Sequence, residues 1–95
     1  MFRLEIRQSA QLMVEEAYWW YEQQLPGLGE RFVNETYASF EKLKQTPFYY
    51  SISNENYRQL LLKHFPYKII FEIFEDHVIV FAVYHTSQHQ DKLFE

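Results

Sequence analysis

The side chains in this chain that are candidates for proton transfer and phosphate contact lie late in the sequence. Arg58, Lys63, His64, Lys68, Tyr84 and His85 include two imidazoles able to exchange a proton near neutral pH, three cations able to stabilise developing negative charge, and a phenol as a further donor. Cleavage of a phosphodiester through a ribose hydroxyl needs a base, a donor to the leaving oxygen and such cations. Period-2 alternation puts Arg58 with Leu60, Leu62 and His64 on one strand face and sends Lys63 to the other, so a compact cationic site requires a bulge. His85 and His89, with Asp91 nearby, have the spacing of a helical zinc pair. That spacing joins ligands only if a helix starts at His85, which instead closes an apolar strand-like run. Without cysteine or a second histidine pair, neither a metal nor another cofactor is expected. Phe48, Tyr49 and Tyr50 have faces on which bases can stack, but no cation lies between Thr46 and Tyr57, so they are expected to pack over a sheet edge.

Composition narrows the field. The 95 residues are nearly half apolar and one-fifth aromatic, enough for one core and one domain spanning 1–95. A net charge of −4 disfavours docking on nucleic-acid phosphates. The absence of cysteine suits the cytoplasm. The apolar runs are too short to span a membrane and no signal-peptide pattern opens the chain, so no membrane partner is expected.

Periodicity supplies the elements that must position these residues. Phe2 to Arg7 alternates apolar and polar, the pattern of a strand with one buried face. Ser9 is an expected N-cap for a helix running to about Gln24, with Ala10, Met13, Val14, Ala17, Trp20 and Tyr21 as its core stripe. Leu12 and Trp19, one heptad apart, fall on the opposite side. The only two glycines, in Leu25-Pro26-Gly27-Leu28-Gly29, separate this helix from a second that runs to about Gln45. Its buried face is Phe32, Val33, Thr36, Phe40 and Leu43, and Thr46-Pro47 ends it. Phe48 to Asn56 has no clean period and reads as a loop. Three apolar runs follow between Tyr57 and His85, joined by breaks so short that neighbouring strands must pair antiparallel, with Glu75-Asp76 as the second turn. The expected fold is α+β: a two-layer β-α-α-β-β-β domain, with a helical hairpin packed on a mainly antiparallel sheet. From Thr86 onward the tail is polar and reads as at most one helical turn.

This order, with three local signatures, resembles the RelE/ParE superfamily of type II toxin–antitoxin toxins, and the ParE branch most. The signatures are Pro26-Gly27-Leu28-Gly29-Glu30-Arg31-Phe32, Tyr57-Arg58 through Phe65-Pro66-Tyr67, and Ala82-Val83-Tyr84-His85. Members often carry an arginine three residues after this histidine, where this chain has Gln88.

The resemblance implies a toxin held inactive by a cognate antitoxin that wraps an extended or helical segment around it. Leu12 and Trp19 are the expected antitoxin contacts, because an apolar pair opposite the core stripe would otherwise stand in water. Within the superfamily the choice lies between a ParE-like poison of DNA gyrase, which acts by binding, and a RelE-like ribosome-dependent mRNA endonuclease. For the nuclease, Arg58 would contact phosphate and His85 would transfer protons. A third reading is an inactive relative that still binds the antitoxin. The acidic balance and Gln88 favour the gyrase poison.

Overall fold

Alternating apolar residues at the N-terminus form β1 (Arg3–Ile6), and the chain then enters α1 (Gln8–Gln24) and α2 (Leu28–Gln45). A short 3-10 turn (Pro47–Tyr49) leads to β2 (Ile52–Asn54), β3 (Tyr57–Leu61), β4 (Tyr67–Phe74) and β5 (His77–His85). This computed structural model describes residues 1–87; Gln88, His89, Asp91 and the expected turn of helix in the tail lie outside the described residues.

The five strands form one sheet in the order β1-β5-β4-β3-β2. Every pairing is antiparallel except that of β1, which runs parallel to β5 with Arg3 opposite His77 and Ile6 opposite Val80. The long connection through both helices is what allows that parallel pairing. A register shift at Ile70/Phe71 bends the β4–β5 ladder, so that Phe71 faces Val80 whereas Ile70 faces Ala82.

Three expectations need correction. The segment from Phe48 to Asn56 is not simply a loop, since Ile52–Asn54 pairs with β3 as an edge strand. Three residues are too few to display a period, and the pairing rests on a two-residue turn in which Glu55 adopts a φ of 51°. Ser9 is not the N-cap. The helix starts two residues earlier, at Gln8 with extended Arg7 at the cap, and the Ser9 hydroxyl donates to the Phe81 carbonyl, tying α1 to β5. Trp20 is not core: it is 56% exposed. On the helical wheel it lies roughly 90° from the centre of the buried stripe, and Tyr21 takes the central place.

The core lies between the helical hairpin and one sheet face. Ala10, Val14 and Ala17 of α1 bring the helix close, while Phe32, Phe40 and Leu43 of α2 fill the space above Leu60, Ile69, Phe71, Val78, Val80 and Val83. Burying each such large side chain contributes about 1.5–3 kcal/mol. At one end Tyr21, Phe32, Phe65 and Tyr67 form a ring cluster with centroids 4.9–6.0 Å apart, mostly edge to face.

The glycine-bearing turn has a local cause. Gly27 takes a left-handed φ of 91° at the N-cap of α2. Both oxygens of the Glu22 carboxylate accept from the Gly27 amide at 3.0 Å, and one also accepts from Gly29 at 2.9 Å. A carboxylate thus satisfies amides that the start of a helix leaves unpaired.

Candidate functional site

Leu12 and Trp19 stand on the outer face of α1, 51% and 56% exposed. Trp20 adds a third large apolar side chain beside them. The same helix carries Glu15, Glu16 and Glu22 and no lysine or arginine, so its outward surface is apolar and acidic. Between α1 and the end of β5 lies a groove of about 360 Å³, whose walls include Met13, Glu16 and Trp20 on one side and Tyr67, Tyr84 and His85 on the other. Tyr84 is 2% exposed and its hydroxyl has no hydrogen-bond partner among the described residues. Burial raises the pKa of the Tyr67 phenol, and the charges of Tyr21 and Glu16 push it the same way.

Arg58 is the second residue of β3, opposite Ile52 of β2 and Phe71 of β4. Its Nη1 donates to the Tyr50 carbonyl at 2.6 Å and its guanidinium lies 5.2 Å from the centre of the Phe48 ring. Phe48 meets Phe2 edge to face, and Tyr50 meets Phe71 in the same way, so the aromatic segment is pinned over the sheet edge. Tyr49, 82% exposed, meets the Tyr50 ring edge to face at 5.2 Å.

His85 closes β5 opposite Tyr67, whose ring it meets edge to face at 5.4 Å. Its Nδ1 accepts from the Ser87 amide at 3.1 Å and lies 2.8 Å from the Ser87 hydroxyl, so the neutral ring carries its proton on Nε2. The fold does not bring Arg58 and His85 together. Their partners Phe71 and Tyr67 are four residues apart on β4, and the two residues lie on opposite neighbours of that strand. Strand geometry therefore separates their backbones by about 16 Å.

Comparison with known proteins decides the family. The family model described as ParE toxin of the type II toxin–antitoxin system, parDE, matches residues 4–90. The chain belongs to the ParE toxin family. A solved structure of a chromosomal ParDE toxin–antitoxin system from P. aeruginosa superposes with a TM-score of 0.81, covering 90% of this chain and 96% of that one at 16% identity. At that identity the likeness shows the shared fold. No curated protein matches. No helix among the described residues of this ParE toxin is long and apolar enough to cross a membrane.

One constellation in this ParE-family chain escapes sequence reasoning. Glu35, from the middle of α2, accepts from the backbone amides of Lys63 at 2.7 Å and His64 at 3.1 Å, and its other oxygen lies 2.7 Å from His64 Nδ1. The connection between β3 and β4 is thereby fastened to the helical layer. Burial pushes the Glu35 carboxyl upward, but the hydrogen bonds from His64 and Lys63 and the nearby imidazole outweigh it, leaving the pKa below the usual 4.5. Lys42, Lys63, Tyr49 and Tyr50 line a groove of about 440 Å³ beside it. Glu35 precedes its partners by 28 and 29 residues, a separation no local pattern exposes.

Proposed function

We propose that this ParE-family toxin acts in the cytoplasm by binding and poisoning DNA gyrase, without a covalent step of its own, and that a cognate antitoxin neutralises it by docking on Leu12 and Trp19. The observation that carries the binding reading is the separation of Arg58 from His85. A nuclease needs its phosphate contact and its proton-transfer group around one phosphodiester, within hydrogen-bond reach of the reacting atoms. Arg58 instead serves the Tyr50 carbonyl and the Phe48 ring, and its partner strand positions lie four residues from those of His85. The net charge of −4 opposes docking on ribosomal RNA.

Pulse-labelling of DNA and protein synthesis within minutes of inducing the chain without antitoxin tests the target. DNA synthesis is expected to fall first while translation continues. An immediate stop in translation would replace this reading with ribosome-dependent mRNA cleavage.

A further inference from the structure

The groove between α1 and the end of β5 has a composition that selects its occupant. Trp20 offers an indole face at 56% exposure, Tyr67 and Tyr84 supply further aromatic walls, and Glu16 supplies a carboxylate. Aromatic faces attract cations through their negative π surface, and a carboxylate beside them adds a charged acceptor. Tyr84 lines the same groove with its ring, its hydroxyl being buried without a hydrogen-bond partner among the described residues. Lys68 stands 5.2 Å from the centre of the Tyr84 ring, which makes Trp20 the open aromatic surface for a cation from outside. Of the α1 glutamates Glu16 lines the groove, and the helix carries no lysine or arginine to oppose a cation there.

We infer that this groove receives an arginine side chain from a basic segment of the antitoxin. A planar guanidinium can stack on Trp20 while its fork of N–H groups donates in bidentate fashion to the Glu16 carboxylate, which the compact ammonium of lysine is poorly shaped to do. The segment then continues along α1, where its apolar residues meet Leu12 and Trp19. The inference rests on the reading that an antitoxin docks on α1, and it adds the residue type that anchors it.

The test uses the peptide acetyl-Ala-Arg-Ala-amide and its citrulline counterpart, which keeps the shape and removes the charge, titrated against the whole chain while the Trp20 indole N–H is followed by NMR. The arginine peptide is expected to shift that resonance with an affinity about tenfold above the citrulline peptide. Glu16→Gln is expected to remove the difference, and so is Trp20→Ala, which is followed by calorimetric titration because it removes the indole reporter. Equal responses to the two peptides, or a response confined to Trp19, would overturn the assignment. Complex formation with the antitoxin separates the two readings. Should Leu12→Ser/Trp19→Ser weaken the complex while Glu16→Gln leaves it unchanged, the groove assignment falls and antitoxin docking on α1 stands. Should the arginine peptide bind as expected while no antitoxin docks on α1, the guanidinium site stands and the docking reading falls.

Discussion

Gly29 lies so close to Tyr18 that a Cβ on this glycine would stand 2.5 Å from the Tyr18 carbonyl oxygen and 2.9 Å from its ring. The carbonyl belongs to the backbone of α1 and cannot swing aside, so the missing side chain sets how tightly the two helices cross. Gly29→Ala is expected to destabilise the fold by about 1–3 kcal/mol, seen as a lower urea midpoint. A midpoint equal to that of the wild type would show that the hairpin opens without cost.

Glu35 gives stability a pH dependence of known sign. Its folded pKa lies below the ordinary 4.5, so its contribution is present in full above that value and is lost as pH falls through the lowered one. Glu35→Ala is expected to cost about 1 kcal/mol near neutrality, because two amides and an imidazole lose their acceptor. The gap between wild type and variant should narrow in acid. A gap that stays constant through acid titration of the unfolding midpoint would remove the carboxylate from this role.

Tyr84→Phe removes a hydroxyl that is buried without a partner among the described residues, and it is expected to stabilise the free chain by about 1 kcal/mol. Thermal unfolding of the two proteins checks this directly, and a lower melting temperature in the phenylalanine variant would contradict it.

Leu12→Ser/Trp19→Ser changes two side chains that contribute little to the core. Circular dichroism and unfolding midpoint should be preserved while antitoxin affinity drops by about a hundredfold, the equivalent of about 3 kcal/mol of lost apolar burial. Unchanged affinity in a calorimetric titration would move the antitoxin to another face.

Arg58→Ala/His85→Ala separates binding from cleavage. The double variant is expected to retain toxicity on induction and to lose about 1–2 kcal/mol of stability, chiefly from the Tyr50 and Phe48 contacts of Arg58. Complete loss of toxicity in a folded variant would reinstate the two residues as a catalytic pair.

Much of the architecture was legible because it rests on long periodic segments. The stripe from Ala10 to Tyr21, the face from Phe32 to Leu43 and the closely spaced apolar runs after Tyr57 announce a hairpin on a sheet. Trp20 was misplaced because it sits at the margin of the wheel, where a groove decides exposure. β2 escaped because a three-residue edge strand is defined by its partner. Arg58 and His85 look alike in sequence as chargeable residues of the same run of three strands, and only the register shows how far apart they lie. The grip of Glu35 on His64 depends on how a helix crosses the sheet, which no local pattern encodes.

The parallel pairing of β1 with β5 also dictates when this molecule can exist. Arg3 meets His77, near the opposite end of the chain, so the first strand has no neighbour until the last described one has been synthesised. Contacts of such long range close late and slow folding. The sheet therefore stays incomplete on the ribosome until β5 has emerged.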